Sequence, residues 1–448
     1  MCDIIAALPD STLRGHTLFG KNSDRPAGEC QVIYFSTGRM PQNRNNIKCS
    51  YLDIPDDKRS LDTMGCRPYW CWGYETGINE RGVVGGNTAI FTRSRHLPEN
   101  RRTPGLNGME LLRLGLERGH TAQDAVFNIV ELLEKYGQYG SAVQGKDHIA
   151  GSYENAFILA DCRELWILET SGRRWITRKI TSGIYSLSNE PTIRTSWIKA
   201  STDLESHARR FGWLKDAEEF DFALAYGDHE HYSRQVSHLR CCRTKQLLEH
   251  HQGKIDEPKM MTILRDHYEN TFLHGPQFSA YLPDFQTICM HDSPAGFTWG
   301  NTATSFIVEL PRHYSQAPII WLGYQPPCTS TYLALTFSDR NPDIVTSAGR
   351  AGLQVCDPST ASNDEFDSSS LWWRFYRLLA RVREKPGQRL PQLRSHFDPL
   401  EKKYLEKVGK LILGNSERPV VEWESLSHAQ IEEVLKAVEN LERQWDLN

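Results

Sequence analysis

Met1-Cys2-Asp3-Ile4-Ile5-Ala6-Ala7-Leu8 and, after a polar turn, Thr17-Leu18-Phe19-Gly20-Lys21-Asn22-Ser23-Asp24-Arg25-Pro26 open the chain, and their reading decides its fold. Both runs are short, apolar and bounded by turn residues, as strands are. Paired as a hairpin, they return Lys21 and Asp24 to the chain terminus. Cys2 follows the initiator methionine, and its small side chain suits methionine aminopeptidase. Removal of Met1 would leave a thiol and a free α-amine on one residue. Such an amine titrates at roughly 7.7–8.0 and a cysteine thiol at about 8.5, both close to working pH. The amine can then act as base for its own thiol, a compact nucleophile–base pair for amide cleavage. Lys21 and Asp24 would orient the amine, lower the thiol pKa and hold a substrate. Taken alone, Cys2 is an ordinary second residue and the turn a solvated loop. Their pairing carries the inference.

The bulk composition restricts the function classes. At 448 residues the chain can bury a sizeable core in one or two domains. A hydrophobic fraction of 39%, a charged fraction of 24% and a net charge of −4 call for neither nucleic acid nor an anionic membrane. No apolar run approaches the ~18 residues that span a bilayer. Asp3 and Asp10 fall where a secretory signal would be basic or apolar. The eleven cysteines are odd in number and lack a framework spacing, so reduced thiols in the cytoplasm are expected.

Along the chain, Gln31–Ser36 and Ser50–Ile54 read as β segments, and Arg67–Glu75 as a strand crowded with aromatics. Asn79-Glu80-Arg81-Gly82 is a turn before a returning strand, Val83–Ala89. Glycine inside a strand marks a close approach or a bulge, so Gly85-Gly86-Asn87 is a second site candidate. Asn87 could give its side-chain amide to a developing oxyanion. Asn107 with Glu110, and Thr121 with Asp124, have helix-cap spacing, and an apolar stripe from Ala122 ends at Gly137. A meander runs from Asn155 to Asn189, whose strand-end position makes Asn189 a third candidate. Residues 192–270 are helical and polar. Asp228-His229-Glu230-His231 and His250-His251 lie there without metal-ligand spacing, so a solvated surface is expected, with no metal and no cofactor. Strands return at 287–290, 304–310, 319–322 and 332–335. A loop spans 357–370, and a helical tail starts at Leu371, with Ser427 and Gln430 capping its last helix.

Cys2-Asp3, Phe19–Pro26, Trp70-Cys71-Trp72-Gly73, Asn79–Val83, Leu114–Gly119 and Leu168-Glu169-Thr170 together resemble the secernin family. That family stands with the dipeptidases among the N-terminal nucleophile hydrolases, a group that includes choloylglycine hydrolases and penicillin V acylases. The resemblance runs from Cys2 to about Leu310. It implies an α+β fold, a four-layer αββα sandwich of two stacked antiparallel sheets covered by helices. It also implies that Cys2 is the nucleophile and that Asp24 contacts its amine. Lys21 stands where choloylglycine hydrolases have arginine, without that residue's planar fork. Asn87 and Asn189 resemble the group's two oxyanion and substrate asparagines. A downstream arginine of those hydrolases has no assignable position here.

The expected catalytic residues are therefore Cys2, Lys21, Asp24, Asn87 and Asn189, with Trp70, Trp72 and Gly86 contacting substrate. The expected domains are 2–345, catalytic, and 346–448, a loop and helical extension packed on the body or a partner. The expected activity is hydrolysis of a dipeptide or small acyl amide through a Cys2 thioester. An acyltransferase, an amidase on a specialised metabolite and a non-catalytic interaction protein are the alternatives. The expected partner is a small-molecule amide or dipeptide substrate, with no nucleic acid and no membrane, and a homo-oligomer left open.

Overall fold

The opening runs form the expected hairpin. In the computed structural model β1 (Cys2–Ala7) pairs antiparallel with β2 (Thr17–Arg25), placing Cys2 opposite Ser23 and Ile4 opposite Lys21. The structure describes residues 1–40, 46–56, 58–98, 103–233, 235–273, 285–294, 296, 298–312, 317–414 and 420–447. β3 (Gln31–Ser36) leads away from the hairpin, and β4 (Asn46–Lys48) pairs with β5 (Asp53–Pro55) in a two-stranded sheet. β6 (Thr63–Pro68), β7 (Thr76–Asn79) and β8 (Val84–Ile90) follow. The meander supplies β9 (Glu154–Ala160), β10 (Leu165–Ser171), β11 (Arg174–Ile180) and β12 (Ile184–Leu187). Then come β13 (Lys199–Ala200), β14 (Asn301–Leu310), β15 (Ile319–Tyr324) and β16 (Leu333–Leu335).

Among the described residues, all of these strands except the β4–β5 pair build two antiparallel sheets. One has six strands in the order β12-β1-β2-β14-β15-β16, the other eight in the order β13-β11-β10-β9-β8-β7-β6-β3. The alternation of side chains along each strand sorts the core into layers. Ile4, Ala6, Phe19 and Phe306 meet Val84, Ile158 and Ile167 between the sheets. Ile5, Ala7, Leu18 and Ile307 face outward beneath α3 (Gln235–His250) and α4 (Glu257–Leu264), contributing to a core with Leu248 and Met260. Phe157, Leu159 and Leu168 face the other way, under α1 (Gly108–Arg118) and α2 (Ala122–Tyr136). Helices, sheet, sheet and helices make the αββα sandwich.

Local signals explain where α1 and α2 begin. Asn107 accepts from the Glu110 N–H while the Glu110 carboxylate accepts from Asn107 N, a reciprocal cap. Thr121 caps α2, and Gly137, at φ 76°, ends it in a conformation side chains disfavour.

Three expected elements differ. β6 stops at Pro68, and residues 69–75 turn instead, with Tyr74 N donating to Met109 O of α1. Thr287–Met290 is not a strand, since Met290 N donates to a side chain, Thr302 Oγ1. Ser427 lies inside α7 (Val420–Gln444), and Gln430 does other work. Its amide accepts from Ala334 N and donates to Tyr332 O, satisfying the backbone of edge strand β16.

The residues after 345 enter the same core. Trp372, Phe375, Leu378 and Val382 of α5 (Leu371–Glu384) join the inter-sheet cluster, as do Val434, Val438 and Leu441 of α7. Each such side chain contributes about 1.5–3 kcal/mol on burial. α6 (Pro386–Gly414) links the two and adds Tyr404 and Val408 to the buried set. No helix among the described residues is long and apolar enough to cross a membrane.

Candidate active site

The hairpin register assigns every polar residue near the terminus to a face. Cys2 shares the inter-sheet face of β1 with Ile4 and Ala6, and Lys21, Ser23 and Arg25 share that of β2 with Phe19. Asp3, Asn22 and Asp24 take the opposite face, toward α3 and α4.

On the helix-facing side the groups form one connected set. Asn189 Oδ1 accepts from Cys2 N at 3.2 Å and from Arg240 Nη2 at 2.6 Å. Arg240, fully buried on α3, also binds the Asp3 carboxylate and Cys2 O, and lies 3.9 Å from Asp24 Oδ2. Ser188 Oγ donates to Asp3, and Thr302 Oγ1 donates to Asp24 Oδ1 at 2.8 Å. Met1 precedes Cys2: its amine donates to Asp24 O at 3.1 Å and its carbonyl accepts from Asp24 N at 2.8 Å. Burial pushes the Asp24 carboxyl up to about 7 against the pull of the amine and Arg240.

The inter-sheet side is also charged. Lys21 Nζ donates to Glu75 O at 2.6 Å. Glu75 in turn accepts from Arg25 Nη1 at 3.0 Å and Gln31 Nε2 at 2.7 Å. Burial would raise the Glu75 pKa, yet Arg25 and Lys21 hold it below the usual carboxylate range. Burial raises the Cys2 thiol, with Lys21 the main opposing influence and Glu75 adding to the rise. The expected lowering of the thiol pKa is therefore reversed, because desolvation outweighs one lysine and Asp24 itself disfavours a thiolate. Burial lowers the Met1 amine, opposed by Cys2 and Asp24. The Cys2 thiol and the Met1 amine are both shifted toward their neutral forms.

Three expected roles change with this geometry. Asn87 pairs with Phe157, an outward-facing residue of β9, so its side chain points toward α1. Its Nδ2 donates to Asn155 Oδ1 at 3.0 Å, and a Cβ on Gly108 would lie 2.7 Å from that nitrogen. The Asn87 amide is thus part of the seat of α1, on the face of the sheet away from Cys2. Asn189 does lie at Cys2, but both its N–H bonds are spent on Thr88 Oγ1 and Ala89 O, each at 2.8 Å. It offers Cys2 an acceptor, not an oxyanion donor. Gly86 makes room rather than contact, since a Cβ there would be 2.8 Å from Lys21 Cδ.

The tryptophans also lie elsewhere. Trp70 is fully buried, donates to Glu29 Oε1 at 3.1 Å and packs beneath Arg25. Trp72 holds the Arg113 guanidinium 4.0 Å from its ring centroid and packs against the α1–α2 core. Neither faces Cys2.

Sequence reading missed Arg240, Thr88 and Tyr153. Ser237, Arg240, Thr244 and Leu248 form the buried stripe of α3, a periodicity written mostly in polar residues. A search for buried-face spacing blind to polarity would have found it. Thr88 shares the inner face of β8 with Gly86, and the Tyr153 hydroxyl interacts electrostatically with Glu75, Arg25 and Cys2. The Asp228 histidines meet expectation in part: His231 is exposed, while Asp228 is buried and accepts from or pairs with His96 at 2.7 Å and His231 at 2.9 Å. Cys2 itself is 6% exposed. A cleft of ≈ 60 Å³ reaches its partner Asn189 past Phe91, Glu190, Tyr232 and Ser237.

An αββα sandwich with a buried cysteine beside the chain terminus, braced by an arginine and two carboxylates, defines a hydrolase of the N-terminal nucleophile type. The family model for peptidase family C69 matches residues 45–277, just over half of the 448, and the chain belongs to that family, the one its motifs resembled. With it comes the class of reaction, hydrolysis of a peptide or amide C–N bond. Residues 1–44, including Cys2, Lys21 and Asp24, precede the matched span. Among solved structures, the C2A mutant of conjugated bile acid hydrolase from Clostridium perfringens is 13% identical, covering 76% of this chain and 94% of its own, with a TM-score of 0.43. Penicillin V acylase from Agrobacterium tumefaciens is 10% identical over 76% and 89%, with a TM-score of 0.41. The Caenorhabditis elegans N-acylethanolamine-hydrolyzing acid amidase ortholog is 11% identical over 68% and 92%, with a TM-score of 0.28.

Proposed function

We propose that removal of Met1 turns Cys2 into an N-terminal nucleophile that cleaves the amide bond of a dipeptide or small aminoacyl amide. The observation that carries this is the hydrogen bond from Cys2 N to Asn189 Oδ1, with Arg240 holding both Asn189 and Cys2 O. The backbone of residue 2 is braced as a reacting group needs to be. Once Met1 is gone, the same nitrogen is a primary amine. The amine takes the thiol proton as sulfur attacks the carbonyl carbon, and Lys21 supplies positive charge near the developing oxyanion. The amine then passes its proton to the leaving nitrogen. Water attacks the thioester, giving the carboxylic acid and restoring the thiol. A thiol that burial holds toward its neutral form suits this sequence, since its proton moves only during attack.

Asp24, Arg240 and Asp3 position the pair, and Asn189 fixes the amine. Glu190 lines the cleft at Asn189 and places there a carboxylate that also holds His238 Nδ1 at 2.9 Å. That favours an aminoacyl substrate over an N-acylated one. Brief treatment with a thiol electrophile at neutral pH, followed by intact mass and peptide mapping, tests the nucleophile. Loss of Met1 and single fast labelling at Cys2 are expected. Retained Met1, or full activity in Cys2→Ala, would overturn the proposal. A panel of dipeptides against their N-acetyl forms tests the substrate class, with turnover of the free-amine forms expected.

A further inference from the structure

We propose that His267, Cys289, His291 and Cys328 bind a structural Zn²⁺ ion at the end of the six-stranded sheet. These residues come from three separated segments: the chain after α4, the stretch before β14, and the turn after β15. Their ligand atoms nevertheless all lie within 4.8 Å of one another. His267 Nε2 is 3.2 Å from His291 Nε2, and His291 Nε2 is 3.2 Å from Cys328 Sγ and 3.6 Å from Cys289 Sγ. A tetrahedral zinc with ordinary Zn–N and Zn–S bonds requires N–N separations of about 3.3 Å and N–S separations of about 3.5 Å. The observed spacing is that of four ligands around one ion.

The chemistry of the set selects the metal. Two thiolates and two imidazoles are soft to borderline donors, suited to zinc and not to calcium or magnesium. Four protein ligands close the coordination sphere, so the site is structural and not hydrolytic. Three of the four are buried, and Cys328 is half-buried. The outer shell is present as well. Glu269 Oε1 lies 3.0 Å from His267 Nδ1, the contact that fixes which ring nitrogen faces a metal. Binding converts two thiols to thiolates and releases two protons to solvent, with no change of oxidation state.

The site has a mechanical link to the hairpin. Met290 lies between ligands Cys289 and His291, and its N–H donates to Thr302 Oγ1 at 2.9 Å. Thr302 Oγ1 donates to Asp24 Oδ1. A metal that clamps 289–291 therefore steadies the partner of a carboxylate at the candidate active site, and the proposal stands whether or not that site is catalytic.

Metal analysis of the reduced, full-length protein should find about one zinc per chain. Replacement by Co²⁺ should give the visible absorption of a tetrahedral cobalt–thiolate centre. Cys289→Ala and Cys328→Ala should each lose the metal. Should either fail to fold, a chelator added to the wild-type protein should release zinc and lower the Tm. His96→Ala, at the surface His96–Asp228–His231 cluster, should keep the zinc. A folded, reduced protein that takes up neither Zn²⁺ nor Co²⁺ would overturn the proposal. So would a Cys289–Cys328 disulfide in a non-reducing peptide map, or loss of zinc in His96→Ala with retention in the cysteine variants.

Discussion

Cys2 and Asp3 are neighbours in the chain and both are buried, yet they meet opposite halves of the molecule. Cys2 faces the eight-stranded sheet, where Lys21 crosses above Gly86 and Thr88 shares the wall. Asp3 faces α3, where Arg240 ties it to Asn189 and to the backbone of residue 2. The pleat of one strand separates the group proposed to react from the groups that place it. A lysine and an arginine serve the two sides, and they are not exchangeable. Lys21 is a point charge threaded past a glycine. Arg240 bridges four acceptors with its planar fork.

The helix-facing side should be the more sensitive in stability. Arg240→Met leaves the Asp3 carboxylate buried without its countercharge and Asp24 with the terminal amine alone. A loss of about 3–5 kcal/mol in urea unfolding is expected, as for removal of one partner from a buried ion pair. Combining it with Asp3→Asn should recover part of that loss. A cost below ~1 kcal/mol would mean that this side is not the scaffold described.

The inter-sheet side should instead be sensitive in rate. Lys21→Met keeps the length of the side chain and removes its charge. We expect kcat to fall about 100- to 1,000-fold, the usual cost of losing one donor to an oxyanion. The Tm should move little, because the variant also removes a desolvated charge. Lys21 is the main influence opposing burial at the thiol, so the pH midpoint for Cys2 labelling should rise. An unchanged labelling profile would sever Lys21 from the nucleophile.

How much of this was legible follows from the same pleat. The hairpin could be read because Ile4–Ala7 and Thr17–Phe19 are contiguous strand formers around a turn, and α1 because its capping box is a local pattern. The face taken by Asn87 could not. β8 is covered on both sides, so Val83 and Ala89 are as apolar as Val84 and Ile90, and no alternation marks the inside. Arg240 stayed hidden in a polar helix. The His267–Cys328 set is assembled only by tertiary contacts, beyond the reach of any spacing rule.

Carboxylates on the inter-sheet face sharpen the comparison further. Glu75, paired with Arg25, is held down, whereas burial pushes Glu154 up to about 7, against the Tyr139 hydroxyl at 2.7 Å and the charge of Arg95. The folded state therefore holds the Glu154 proton more tightly than the unfolded chain. Its contribution is complete below the unfolded carboxyl pKa of about 4.3 and is lost as pH rises through about 7. Glu154→Gln should flatten that fall in stability, a difference of up to roughly 3 kcal/mol between pH 4 and 8. An identical pH profile in the variant would show that Glu154 titrates like a free carboxylate.

Asn87→Ala is the smallest effect and decides most about the faces. If the Asn87 side chain stabilised the oxyanion, its loss would cost about 10²–10³ in kcat. The structure directs that side chain to Asn155 and the start of α1 instead. Removing it should cost about 1 kcal/mol of stability, the price of one neutral hydrogen bond, with kcat and KM nearly unchanged. Thr88→Val, one residue along and on the face toward Cys2, frees an Asn189 N–H that Thr88 now holds. Rate should therefore respond at 88 and stability at 87. If the two responses were exchanged, β8 would sit one residue out of the register described, and every assignment of inner and outer side chains along it would reverse with it.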